Sequence, residues 1–178
     1  VRERESGVAL RRLGISNYAA IRLRIPDGEV AHNIEGLEIK LTRLLRPDDF
    51  CLAPWEHDGH PDHDASGTAS HNATRAIGSD LLYYLVWALH WADPNGDDLP
   101  WSACRRHLLP GEQRRRKRRA TLAFRSQIRP LGGSSTQGAV LPPAVLRRHW
   151  LDHELFIDPT ATSGNKVESG TESHKERA

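Results

Sequence analysis

Residues 2–13 carry Val8, Leu10 and Leu13 in an otherwise charged segment, with Gly14 as a stop, which predicts a helix. Ile21-Arg22-Leu23-Arg24-Ile25 alternates at period two before Pro26-Asp27-Gly28, predicting a strand and a turn. Asn33 is placed to cap a helix with Ile34, Leu37, Leu41, Leu44 and Leu45 on one stripe, stopped by Pro47. Phe50 to Pro54 is short and apolar enough for a strand buried on both faces. Over residues 65–77, Ala65, Ala69, Ala73, Ala76 and Ile77 share a helical face small enough to lie close to a sheet, and Gly78 ends it. Leu81 to Leu89 reads as another buried strand. This alternation predicts an α/β fold with a mainly parallel sheet and helices on both faces.

Further along, Asp93 to Pro100 reads as a polar loop and Glu112 to Gln127 as a basic helix. Gly132 to Gly138 follows as a flexible Gly/Ser loop, and Val145 to Phe156 as a short helix with an apolar edge. The chain from Thr160 onward is polar and reads as a disordered tail. The division that results is one domain over residues 1–158 and a tail over 159–178.

Composition narrows the class. With 178 residues and a net charge of +2, the chain has room for a proper core and an ordinary mixed surface. The run from Leu81 to Ala92 is interrupted by His90 and too short to span a bilayer. Cys51 and Cys104 stand alone without CxxC spacing, so the expected setting is reducing and cytoplasmic. No methionine occurs anywhere, and Val1 opens inside a charged helical pattern. That combination reads as the remainder of a longer protein, with a start codon read as valine, or trimming, as the alternatives.

The densest chemistry lies between Trp55 and Asp64, where His57, His60 and His63 fall among Asp58, Asp62 and Asp64. An apolar strand that runs into such a loop is how an open sheet delivers reactive groups. Imidazoles suit zinc and similar borderline metals, and a nearby histidine can hold or supply a proton. Pro61 narrows the backbone choices between His60 and His63. The bland alternative is a solvated polar loop. Two other clusters weigh less. The run Arg114-Arg115-Arg116-Lys117-Arg118-Arg119 has no interleaved aromatic residue and reads better as a solvated helix face than as a nucleic-acid site. Trp87 and Trp91 flank His90 and read as core or rim packing before they read as a sugar platform. Nucleophile-elbow, Walker A and dinucleotide fingerprints are all missing.

Asp58-Gly59-His60-Pro61-Asp62-His63 resembles the HPDH signature of the PIG-L/LmbE-like family of zinc-dependent N-acetylglucosamine-type deacetylases. Other features agree in order: Arg2 and Glu5, Ala9 with Leu13-Gly14, Pro26-Asp27-Gly28, Lys117, Ser126-Gln127 and Glu154-Leu155-Phe156. The resemblance implies a Rossmann-like fold and removal of acetyl from an N-acetylglucosamine-type sugar on a glycolipid or small-molecule conjugate. It makes His63 a ligand of Zn2+, and His60 and Asp62 the catalytic residues, with His60 beside the scissile amide. Arg2 and Asp27 are placed near the sugar hydroxyls.

One departure is large. The family's AHPDDE loop, which supplies two more ligands and the general base, has no counterpart here. Arg46-Pro47-Asp48-Asp49 lacks the histidine and precedes the strand leading to HPDH. The expected fold is therefore N-terminally incomplete, the C-terminal two-thirds of a deacetylase and inactive by itself. Rival readings are a non-catalytic sugar-binding remnant and, less well supported, a nucleic-acid module on residues 114–119. The expected partner is the acetylated amino sugar, with no nucleic acid and no membrane span. Nothing in the pattern sets an oligomeric state.

Overall fold

The structure is a computed structural model that describes residues 1–129 and 139–163. Within it, α1 (Arg2–Leu13) ends at Gly14, which takes the left-handed conformation as expected. The helix α2 (Ile34–Leu44) leads to strand β1 (Phe50–Pro54), then α3 (Pro61–Ile77) and β2 (Asp80–Tyr84). The short α4 (Ala88–Trp91) is followed by β3 (Cys104–Leu108), α5 (Gly111–Thr121) and α6 (Arg125–Ile128). Helix α7 (Pro143–His149), strand β4 (His153–Ile157) and α8 (Pro159–Ser163) complete the described elements.

The sheet runs in the order β1-β2-β4-β3. β1 and β2 are parallel, while β4 lies antiparallel to both β2 and β3. Three of the four strands thus point the same way, in an α/β fold. Its main core joins Ala53, Trp55, Leu81, Tyr83, Leu85 and Ile157 across the strands. Ala65, Ala69 and Ala73 of α3 are buried, as the small-residue face predicts, whereas Ala76 is exposed. Gly67 explains how close that helix comes: a Cβ there would sit 2.7 Å from backbone atoms of Pro54 and Glu56.

Several expectations are corrected. Ile21–Ile25 forms no strand; Arg24 has φ +55°, which breaks the extended pleat, and Ile21 is exposed. β1 is not buried on both faces. It lies at the sheet edge, and Phe50 and Leu52 stay 59% and 51% exposed on one side. The apolar run from Leu81 stops being a strand at Tyr84 and turns into α4. The basic helix breaks after Thr121, and Glu154-Leu155-Phe156 lies in β4 rather than in a helix. Strand β3 has no counterpart among the expected elements. Pro159–Ser163 is helical, so part of the expected tail has structure. The Gly/Ser loop at 132–138 and the chain after 163 lie outside the described residues. Among the described residues no helix is long and apolar enough to cross a membrane. Cys51 and Cys104 are both free.

Candidate functional site

The histidine loop leaves the carboxyl end of β1 where Trp55 N donates to Tyr84 O, the last rung beside β2 (3.0 Å). The loop then closes on itself. Gly59 N donates to Asp64 Oδ1, and the His63 and Asp64 amides both donate to His60 O. His60 is the N-cap of α3, with Pro61 directly after it in the first helical position. A histidine cap is unusual, and here its Nδ1 accepts from Asp62 N at 3.2 Å. Gly59 is required twice over: its φ is +86°, and a Cβ would come within 2.8 Å of the Trp91 indole nitrogen.

Asp58 organises the loop from inside. Its side chain is fully buried, and its two carboxylate oxygens accept from Val86 N, Trp87 N and Ala88 N at 2.6–2.9 Å. Oδ2 also meets His63 Nδ1 at 2.6 Å. Burial by itself pushes this carboxyl up. The His63 contact and the three amides outweigh it and hold the group below the ordinary carboxylate range. Asp58 is therefore an ionised acceptor, and His63 Nδ1 must be the donor.

That assignment decides the rest of the ring. In the neutral ring, His63 therefore carries its proton on Nδ1 and its Nε2 offers a lone pair, the state a metal ligand needs. His60 is the opposite case. Its Nδ1 accepts a backbone proton, so in the neutral ring Nε2 carries the hydrogen and is a donor. The two rings stack with centroids 4.5 Å apart. The stacked pair thus combines, in its neutral rings, one free acceptor nitrogen and one donor nitrogen.

Asp62 reaches in another direction. Oδ2 accepts from Gly28 N (2.6 Å) and Oδ1 from Val30 N (3.1 Å), so it pins the loop that carries Asp27. Asp27 itself is exposed and pairs with Arg2 of α1 at 3.5 Å. The five residues singled out in sequence thus fall into a histidine pair and a second cluster, joined through Asp62. Glu5, one turn along α1, accepts from Ser126 N and Oγ, which lowers its carboxyl below the ordinary range.

The wall beside the histidines is aromatic. Trp87 stands edge-on to His60 with centroids 5.9 Å apart and stacks on His90 at 4.3 Å. Trp91 Nε1 donates to Asp58 O. Burial pushes His90 down, toward its neutral form, and its Nε2 has no partner among the described residues. Lys117 and Glu154, placed by the resemblance, form an ion pair at 2.7 Å. The basic run is largely engaged: Glu112 takes Arg115 and Arg116, and Arg118 lies over the Trp150 ring.

In the sequence Asp58 stands out only as a neighbour that, like His57, could make up for missing metal ligands; its orienting role, on which the arrangement turns, is not visible there. Its signal was position: a carboxylate four residues past the end of an apolar strand and five residues before the histidine it orients. Trp87, read as packing, borders His60 instead.

Residues 1–74 match the family model described as PIG-L, GlcNAc-PI de-N-acetylase. The resemblance read from Asp58–His63 holds over that stretch. The features at Lys117, Ser126 and Glu154 lie beyond the matched residues. Among solved structures, one described as the crystal structure of the antimicrobial reagent A40926 pseudoaglycone deacetylase Dbv21 superposes with a TM-score of 0.60. It is 22% identical, over 88% of this chain and 69% of that one, a likeness of fold. The comparison with curated proteins gave no match.

Proposed function

We propose that residues 1–158 belong to a metal-dependent N-deacetylase domain acting on an N-acetylglucosamine-type sugar carried by a glycolipid or small-molecule conjugate. The observation that carries the reading is the buried Asp58 carboxylate 2.6 Å from His63 Nδ1, beside a stacked histidine of opposite tautomer. A solvated polar loop has no reason to bury a carboxylate to orient one imidazole. In this reading His63 is a metal ligand through Nε2, and His60 donates from Nε2 to the oxygen that gains charge as the amide carbon becomes tetrahedral. Asp62 serves by holding the 28–30 loop, which presents Asp27, with Arg2, toward the sugar hydroxyls.

Zn2+ is the expected metal, and the fit is incomplete. A catalytic zinc takes three protein ligands and an open position. Among the described residues no three histidine, cysteine or carboxylate side chains are arranged so that they could hold a metal ion. His63 is one prepared ligand without a second or third, so the described residues do not by themselves fit a catalytic zinc. The chain by itself is proposed to bind zinc weakly and to lack deacetylase activity. The same gap favours a second reading, a sugar-binding remnant that keeps the pocket without the chemistry. A cytoplasmic setting is part of the proposal and rests on the two unpaired cysteines.

Nuclear magnetic resonance titrations test this. N-acetylglucosamine should perturb His60, Asp27 and Trp87, and zinc should perturb His63 first, with the zinc effect lost in His63→Ala. Sugar shifts scattered away from the histidine loop, or none, would remove the deacetylase and the remnant readings together. Stoichiometric zinc retained through dialysis and lost in His63→Ala would show that residues of this chain complete the site.

A further inference from the structure

A second surface lies on the other side of α1, where that helix meets α5 and α6. Ala9, Ala120 and Ala123 pack as a small core with Val8, Leu13 and Phe124 around it, so the two helices form a fixed platform. Beside this core opens a cleft of about 970 Å³. Arg4, Arg12, Arg119, Arg125 and Arg129 all line it, against the single carboxylate of Glu5. Glu5 is already committed to Ser126.

Among the described residues none of these five arginines has a carboxylate partner. Arg12 is oriented only by a hydrogen bond from Nη1 to Arg119 O at 2.8 Å. The contrast with the start of α5 is direct, because there Glu112 forms ion pairs with both Arg115 and Arg116. The cleft thus gathers more positive charge than the whole chain, whose net is +2. Ordinary surfaces intersperse the two signs. Like charges drawn together without counter-ions raise the potential and invite an anion.

The floor narrows the kind of anion. Val8, Leu122 and Ile128 line the same cleft, and Leu122 is 42% exposed. Among the described residues no aromatic side chain lines it, so unstacked bases find no platform. Guanidinium groups match phosphate oxygens in a two-pronged fashion. Phosphate-binding cations around an apolar floor fit a molecule with a phosphate head and an apolar body.

We propose that the α1/α5–α6 cleft docks the chain on an anionic phospholipid surface, with the arginines at the headgroups and Leu122 reaching toward the acyl boundary. This surface does not depend on the deacetylase reading. It is separate from the histidine loop and needs no membrane-spanning helix. Its strength scales with the number of basic side chains near the surface and falls with salt.

Flotation of the whole chain with vesicles tests it. Vesicles of phosphatidylcholine containing phosphatidylglycerol should carry the protein, and vesicles of phosphatidylcholine alone should not. Arg119→Gln with Arg125→Gln should lower partitioning by tenfold or more, at roughly fivefold per charge. Arg75→Gln, at an exposed arginine in a different cavity, should change it little. Circular dichroism and thermal melting establish that each variant is folded. Leu122→Ser should weaken the salt-resistant part of binding. Equal flotation on neutral vesicles, no flotation on anionic ones, or the same loss from Arg75→Gln would overturn the proposal. An oligonucleotide bound as tightly, through the same arginines, would reassign the surface to nucleic acid and overturn it equally.

Discussion

His60 and His63 lie one above the other with their ring planes 28° apart, yet their Nδ1 atoms play opposite parts in hydrogen bonding. Stacking brings the rings to one place, and the neighbours decide what each can do there. Nitrogen-detected spectra of the histidine rings read this directly. His63 should show its proton on Nδ1 and His60 on Nε2. Matching tautomers would remove the distinction between ligand and donor. Asp58→Asn should disturb the His63 tautomer and leave that of His60 in place.

Asp58 also ties two distant segments together, because its partners are the amides of residues 86–88. Asp58→Ala strands three amide donors, that of Ala88 buried and those of Val86 and Trp87 part-buried, and should cost about 2–3 kcal/mol in denaturant unfolding, since an unsatisfied buried group carries roughly 1–3 kcal/mol. A loss near zero would mean that water replaces the carboxylate at little cost.

Acid should reveal the same group. The folded-state carboxyl is held below its ordinary value of 3.8, so the unfolded chain binds the proton more readily. The stability it contributes is present above that value and is lost as pH falls through the lower folded value. Stability measured downward from about pH 4 should fall less steeply in Asp58→Ala than in the parent chain. Parallel curves would show that other carboxylates set the acid limit.

Two helical glycines make a matched pair. Gly67→Ala places a Cβ against the backbone of Pro54 and Glu56, neither of which can swing aside, and should destabilise by about 1–3 kcal/mol. Gly36→Ala in α2 meets nothing within 4 Å and should stabilise by up to about 1 kcal/mol through helix propensity. Thermal unfolding of both variants checks the sign of each.

Gly59→Ala should act on the site before it acts on the fold. The left-handed backbone and the Trp91 indole both resist a side chain there. The Trp91 indole proton resonance should shift as its bond to Asp58 O is broken, while the core residues keep theirs. An unchanged indole signal would place the strain elsewhere.

Much of this arrangement is legible in the chain because it is local. The Gly14 and Gly78 stops, β1 and the small face of α3 depend on neighbours a few residues away. The misses depend on distant ones. Residues 81–89 look like a continuous strand, and what bends them after Tyr84 is a carboxylate almost thirty residues earlier. Ile21–Ile25 alternates correctly, but pairing needs a strand beside it, and alternation cannot supply one. β3 reads Cys-Arg-Arg-His-Leu, a pattern with little apolar signal, and becomes a strand because β4 offers it a ladder. In the site, the histidines are visible as residue types. Their tautomers are not, because the partners that set them are a buried oxygen and a helix-capping amide.

The grip of Asp58 on residues 86–88 goes entirely through main-chain amides. Every amino acid but proline brings that same amide, so the carboxylate itself sets no demand on the side chains of Val86 and Trp87, although Ala88 is fixed by its burial in the core. Trp87, which faces His60 from that turn, can therefore be exchanged for a differently shaped neighbour without dismantling the chemistry beside it. The turn thus separates a position whose shape is open from a carboxylate whose geometry is fixed by four hydrogen-bond contacts.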